Sequence, residues 1–194
     1  RVHCANTMTT FKSRRSALQL LGTLSMTLGL TLAQMPSHAE EAPKLKIATS
    51  QGDIMVEVYP DKAPKTVENF LQYVRDKHYD GTVFHRVINN FMVQGGGFDA
   101  RYQQKPTRAA VVHEGREALA KGGSLNVTGT LAMARTSDPH SATAQFFINV
   151  KDNDFLNPTP IPPGDPVPRF EYQGRVYENT PRARLLEAPQ LFGY

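Results

Sequence analysis

The most informative part of this chain is a pair of neighbouring motifs, Phe84-His85-Arg86-Val87-Ile88 and Phe91-Met92-Val93-Gln94-Gly95-Gly96-Gly97-Phe98. In a strand, Phe84, Arg86 and Ile88 lie on one face. An arginine between large apolar side chains extends to solvent, pairs with an acid or lines a groove. The three glycines lack the Lys-Ser/Thr of a phosphate-binding loop, so they indicate a bulge or a close approach of the backbone.

The sequence around these stretches is mostly β. Alternating residues at 45–49 and 54–58 flank a Gln51-Gly52-Asp53 turn and predict a hairpin. Apolar residues at i, i+3, i+4 and i+7 predict one helix around residues 67–74, with a weaker helical pattern at 114–119. Further strands are expected at residues 83–88, 91–94, 130–134 and 145–150. One clear helix among short strands is typical of a barrel or sandwich.

Composition excludes several classes of protein. The 194 residues suit one domain with tails, at roughly 100–200 residues per domain. The single Cys excludes a disulfide framework, and the scattered His residues do not have metal-site spacing. We therefore expect neither a metal nor another cofactor. No apolar run reaches the ~18–20 residues of a membrane span.

The charge of the chain is divided between two parts. All 18 acidic residues and 18 of the 22 basic residues follow residue 39, so the excess of +4 lies in residues 1–39. A nucleic-acid partner is not expected, because such a partner requires a basic patch on the folded domain. A monomer is expected.

Residues 8–39 resemble an export signal. Basic residues near Met8 precede an apolar stretch at 17–33, and Ser37-His38-Ala39 places small residues at a cleavage site. We expect cleavage near Ala39 and a periplasmic or secreted product, with residues 1–7 as upstream sequence. An uncleaved anchor is the alternative, and the pair Arg14-Arg15 leaves general and twin-arginine export both open.

The composition changes again at Asn157. Six of the eleven residues at 158–168 are proline, which cannot form a central strand. We expect residues 157–194 to be an extended or disordered tail that supplies no core strand.

The motifs resemble the cyclophilin family of peptidyl-prolyl cis-trans isomerases, in the style of exported bacterial members. Besides the two stretches above, the resemblance rests on Gly129-Thr130-Leu131-Ala132-Met133-Ala134-Arg135 and Gln145-Phe146-Phe147-Ile148-Asn149. It implies a cyclophilin-like domain at residues 44–156, folded as a closed antiparallel β-barrel with a capping helix. The C-terminus departs from the family as if the reading frame had changed near Asn157, so the last strands of the barrel are expected to be missing.

The resemblance also implies the site residues. Arg86 matches the catalytic arginine of the family. The expected substrate-binding residues are Phe91, Met92, Gln94, Ala134, Arg135, Gln145, Phe147, Phe155 and Leu156. Of these, Phe91, Met92, Phe147 and Leu156 match the apolar pocket that holds the substrate proline in the family. The implied partners are proline-containing polypeptides and cyclosporin-type inhibitors.

The implied function is acceleration of rotation about Xaa-Pro peptide bonds during the folding of exported proteins. One alternative is a module that binds proline peptides as a chaperone with little isomerase activity, because the barrel is incomplete. Another is a non-functional product of a shifted reading frame.

Overall fold

The structure, a computed structural model, describes residues 3–5 and 42–194. The predicted export signal at residues 8–39 lies outside the described residues. The described strands are β1 (His3–Ala5), β2 (Lys44–Thr49), β3 (Gly52–Glu57), β4 (Arg86–Ile88), β5 (Met92–Gly95), β6 (Leu131–Met133), β7 (Phe146–Asn149), β8 (Phe170–Tyr172) and β9 (Arg175–Tyr177). The helices are α1 (Pro64–Arg75), α2 (Gly115–Ala120) and α3 (Arg182–Leu186), with 3₁₀ turns at Asp154–Leu156 and Pro189–Leu191.

Strand pairing divides these strands among three antiparallel sheets, ordered β1-β2-β3, β4-β5-β7-β6 and β8-β9. The mostly β architecture with few helices is confirmed. Closure into one barrel stays a prediction, because hydrogen bonds between the described strands define separate sheets. In the part of the chain that the structure describes, no helix is long and apolar enough to cross a membrane.

The predicted helix and hairpin are present, with small differences in their bounds. Helix α1 begins at Pro64, whose missing N–H costs nothing in the first turn. The strand predicted at residues 83–88 begins only at Arg86. The Val83 N–H donates to the Phe98 carbonyl at 3.0 Å, so this part of the chain pairs outside the β4 ladder.

The main core lies between α1 and the sheets. Val67, Phe70 and Val74 of α1 pack in one buried cluster with Leu45 and Ile47 of β2. Tyr73, Tyr79 and Phe146 extend this cluster to β7. Phe146 and Phe70 meet edge to face, with ring centroids 5.7 Å apart. This core fixes β7, which carries Phe147 next along the chain.

The expectation of an extended or disordered tail at residues 157–194 is wrong. Val167, Leu185 and Leu191 are at most 1% exposed and form a second buried cluster. Phe170 and Tyr177 stack across the β8–β9 pair, with ring centroids 4.9 Å apart. The proline-rich residues 158–168 do lack a strand, but Val167 among them and the apolar side chains after them bury one another.

Candidate active site

The β4–β5 hairpin places Arg86 opposite Gln94 at the edge of the four-stranded sheet. Its turn includes Asn90 at a φ of 56°, a conformation that asparagine tolerates better than most residues. Arg86 Nη1 donates to Gln94 Oε1 at 3.2 Å. Arg86 is exposed, so this bond anchors the guanidinium while leaving most of its five N–H donors available.

Gln145 continues this polar chain from the next strand. Gln94 Nε2 donates to Gln145 Oε1 at 3.0 Å, so both ends of the Gln94 amide are engaged. A Cβ on Gly97 would lie 2.5 Å from Gln145 Cγ, so this position has no room for a side chain. The glycine triplet therefore serves a close approach of the backbone, as the sequence indicates. The absence of a side chain at Gly97 also lets Gln145 pack where its Oε1 accepts the hydrogen bond from Gln94.

The predicted apolar pocket has a buried part and an exposed part. Met92 is 1% exposed and Phe147 is 5% exposed. Phe91 and Phe155 contact each other with ring centroids 5.5 Å apart, and Phe155 is 61% exposed. Phe155 therefore presents its ring to solvent, whereas Phe147 is covered.

Residues 134 and 135 follow β6 and lie beside β7. The Ala134 N–H donates to the Gln145 carbonyl at 2.9 Å, which extends the β6–β7 pairing to the polar chain. Arg135 turns toward the end of the described chain: its Nη2 donates to the Gly193 carbonyl at 2.8 Å. Its guanidinium carbon lies 4.3 Å from the centre of the Tyr194 ring.

A group of asparagines that the sequence motifs do not reveal, all of them buried, supports the pocket. Asn153 Nδ2 donates to the Phe91 carbonyl at 2.9 Å and to Asn149 Oδ1 at 2.7 Å. Asn149 Nδ2 donates to Asn126 Oδ1 at 3.2 Å, and Asn126 Nδ2 donates to the Leu156 carbonyl at 3.2 Å. Buried polar side chains need such partners. Only Asn149 stood within a motif, and an asparagine in a loop gives no periodic pattern that predicts burial.

Burial lowers the pKa of two histidines next to the site. Desolvation is the main cause that lowers the pKa of His85, and its ring packs on Phe98 with centroids 4.5 Å apart. Desolvation likewise lowers the pKa of His78, whose Nε2 lies 3.1 Å from the Gly96 carbonyl oxygen. Within residues 42–194, no three His, Cys, Asp or Glu side chains gather where they could hold a metal ion.

The structure thus brings the predicted residues together in two groups. Arg86, Gln94 and Gln145 form one polar chain, and Phe147, Leu156 and Arg135 meet at residues 193–194. A cavity of about 450 Å³ is lined by apolar residues that include Val56 and Leu131, and Tyr194 also lines it. Of the ten predicted site residues only Arg135 lines this cavity. The candidate site is therefore the surface across β4, β5 and β7.

Comparisons with known proteins agree with these motifs. A family model described as cyclophilin type peptidyl-prolyl cis-trans isomerase/CLD matches residues 44–180. The chain is 60% identical over 115 residues to peptidyl-prolyl cis-trans isomerase cyp18 of Streptomyces antibioticus, covering 59% of this chain and 66% of that protein. It is 58% identical over 109 residues to peptidyl-prolyl cis-trans isomerase B of Escherichia coli strain K12, covering 56% and 63%.

A solved structure is similar as well. The crystal structure of cyclophilin AquaCyp293 from Hirschia baltica matches with a TM-score of 0.51 and 26% identity, covering 59% of each chain. The chain spans slightly under two thirds of the length of the two bacterial relatives above.

The mostly β fold is similar to that of a cyclophilin of known structure. The chain belongs to the cyclophilin type peptidyl-prolyl cis-trans isomerase family, whose family model matches most of its length.

Proposed function

We propose that this chain is a peptidyl-prolyl cis-trans isomerase and that Arg86 is its catalytic residue. The observation that carries the proposal is the Arg86–Gln94–Gln145 chain, which anchors an exposed guanidinium. Arg86 is opposite Gln94 in β5, and Gln94 is opposite Phe147 in β7. Family membership and the names of the relatives support the same activity. The proposed substrates are proline-containing polypeptides.

The chemistry needs little more than a positioned hydrogen-bond donor. Rotation about a peptide bond faces a barrier of about 18–20 kcal/mol, because the nitrogen lone pair is delocalised into the carbonyl. In the twisted transition state the prolyl nitrogen regains its lone pair and accepts a hydrogen bond. A guanidinium that donates there binds the transition state better than the planar ground state, which is the condition for catalysis.

The other groove residues hold the substrate during this rotation. Phe91 and Phe155 offer an exposed apolar surface for the proline ring, and Phe147 and Met92 form the buried base of the pocket. The backbone at Ala134 lies beside Gln145, where an extended peptide can align with the sheet. Gln94 sets the orientation of Arg86 through a bond that requires no proton transfer.

The barrel and the cellular location belong to the same proposal. The sheets that contain β2 and β7 share one buried cluster, which supports their being two walls of the closed barrel typical of the family. The order of basic, apolar and small residues at 8–39 supports export with cleavage near Ala39. N-terminal sequencing of the exported chain should find Glu40 first, whereas a membrane-retained chain with an intact leader would contradict export.

Substitution of Arg86 tests the proposed activity. In a protease-coupled assay of a proline tetrapeptide, we expect Arg86→Ala to lower kcat/KM by about 10²–10³, the usual effect of removing one transition-state donor. Arg86→Lys should recover only part of the loss, because an ammonium group cannot reproduce the guanidinium fork. Unchanged circular dichroism controls for folding. Full activity of a folded Arg86→Ala chain would remove Arg86 from the mechanism, and peptide binding without acceleration would favour the chaperone alternative.

A further inference from the structure

The three residues Phe192, Gly193 and Tyr194, here called the 192–194 segment, lie on the groove. The Tyr194 ring contacts Phe147 edge to face, with centroids 5.7 Å apart at 75°. The Tyr194 N–H donates to the Leu156 carbonyl at 2.8 Å. Both Phe147 and Leu156 belong to the proposed proline pocket, so the segment occupies the side of the groove that a substrate proline would use.

Arg135 and Asn126 hold the segment in place. Arg135 donates to the Gly193 carbonyl from Nη2 at 2.8 Å and from Nε at 3.2 Å, and its guanidinium lies over the Tyr194 ring. Asn126 Nδ2 donates to the Tyr194 carbonyl oxygen at 3.2 Å. Arg135 is itself a proposed substrate-binding residue, so the segment uses a group that would otherwise contact the peptide.

Phe192 anchors the other end of the segment between two histidines. Its ring centroid lies 5.4 Å from that of His113 and 5.3 Å from that of His140, edge to face in both cases. Arg116 adds a cation–π contact at 5.7 Å from the same ring. The segment is therefore attached at every residue, by aromatic contacts at Phe192 and Tyr194 and by the Arg135 bonds at Gly193.

We propose that the 192–194 segment is an intramolecular competitor for the proline pocket, which must be released before a substrate proline can reach Phe147. This inference rests on the proposed function, since it assigns the same groove to the substrate. Phe147 is only 5% exposed with the segment in place. The competitor resembles a substrate chemically, because it presents a ring to the apolar pocket and a backbone carbonyl to a cationic donor.

The proposal can be tested by adding a single methyl group at Gly193, through the substitution Gly193→Ala. Its φ is +70°, and a Cβ there would lie 2.4 Å from the Pro158 nitrogen and 2.7 Å from the Leu156 carbonyl oxygen. Alanine at this position would push the segment away from the groove. Gly174 is a matched control, because its φ is +74° while nothing lies within 4 Å of its Cβ position.

The experiment compares the full chain with its Gly193→Ala and Gly174→Ala variants. Affinity for a proline tetrapeptide is measured by titration followed through the Phe147 ring resonances, and kcat/KM by exchange spectroscopy. We expect Gly193→Ala to raise both by roughly tenfold, as for a pocket that is free in about a tenth of the molecules. Gly174→Ala should match the parent chain.

Two further measurements keep the outcomes separate. Tyr194→Ala removes the ring without backbone strain and should also strengthen binding of the proline tetrapeptide. It provides the same test if Gly193→Ala does not fold. A peptide with the sequence of residues 189–194 should inhibit Gly193→Ala in trans. Equal peptide affinities in the parent, Gly193→Ala and Tyr194→Ala chains would overturn the competitor, whatever the catalytic result. Stronger binding in the variants without any acceleration would support the competitor while the isomerase proposal fails.

Discussion

Arg86 depends on a side chain of another strand for its orientation. Gln94 accepts from its guanidinium at 3.2 Å and is itself fixed by Gln145 at 3.0 Å. A free arginine side chain has many rotamers, and catalysis needs one of them. Gln94 therefore acts as a positioning residue under the proposed mechanism.

We expect Gln94→Ala to lower kcat by about tenfold, because loss of orientation acts mainly on the transition state. KM should change less, since the apolar surface at Phe91 and Phe155 remains. Gln94→Glu keeps an oxygen acceptor for Arg86 and should retain more activity than Gln94→Ala. A rise in KM at constant kcat would instead indicate that Gln94 only binds the peptide.

The sequence predicts which residues belong to the candidate site better than it predicts how exposed their side chains are. The motifs were sufficient to select Arg86, Gln94 and Gln145, which the structure brings together. They could not predict the contact of Phe147 with Tyr194, because Tyr194 comes from a segment without periodicity. The link between two buried asparagines, Asn149 and Asn153, was equally hidden, since it depends on a loop conformation.

Among the elements, the hairpin β2–β3, helix α1 and the strands of the site could be predicted from alternation and helical spacing. The region after Asn157 could not. Its buried residues Val167, Leu185 and Leu191 are far apart in sequence and come from a loop, a helix of one turn and a 3₁₀ turn. No short stretch of the sequence shows a periodic pattern for this cluster, because the cluster forms only when the loop, the helix and the 3₁₀ turn pack together.

Neighbouring leucines of α3 test whether this cluster is packed. Leu185 is 1% exposed, whereas Leu186 is 42% exposed. We expect Leu185→Ala to lower the free energy of unfolding of the region by about 2–4 kcal/mol, as for other buried leucines. Leu186→Ala should lower it by less than about 1 kcal/mol. Hydrogen exchange of the β8–β9 amides provides the measurement, and equal effects of the two substitutions would contradict a packed cluster.

Across the whole molecule, stability should depend on pH through His113. Burial is the main cause that lowers the pKa of His113 from 6.5 to about 4, and the nearby charges of Arg135 and His140 lower it further while Glu117 opposes them. Between about pH 4 and pH 6.5, His113 binds a proton in the unfolded chain but not in the folded chain. The free energy of unfolding should therefore fall as the pH drops from 6.5 to about 4.

The variant His113→Gln isolates this contribution. If the His113 ring were completely buried, its contribution to the pH dependence of the free energy of unfolding would be about 3 kcal/mol. Because the ring is partly exposed, we expect a contribution of about 1–2 kcal/mol. The variant should lose less stability than the parent over this range in urea titrations. Some pH dependence should remain, because burial also lowers the pKa of His78 and His85. Identical pH profiles of the two chains would show that His113 is not buried as described.

Acceleration of prolyl isomerisation by Arg86 is best measured by exchange spectroscopy of an Ala-Pro peptide, because the method needs no protease and follows both directions of the reaction at equilibrium. The sample is the Gly193→Ala chain, in which the groove is expected to be open, compared with the same chain carrying Arg86→Ala.

We expect fast cis–trans exchange with the Gly193→Ala chain and a rate lower by about 10²–10³ when Arg86→Ala is added, while both chains bind the peptide with similar affinity. Equal exchange rates in two folded, peptide-binding chains would show that Arg86 does not accelerate prolyl isomerisation.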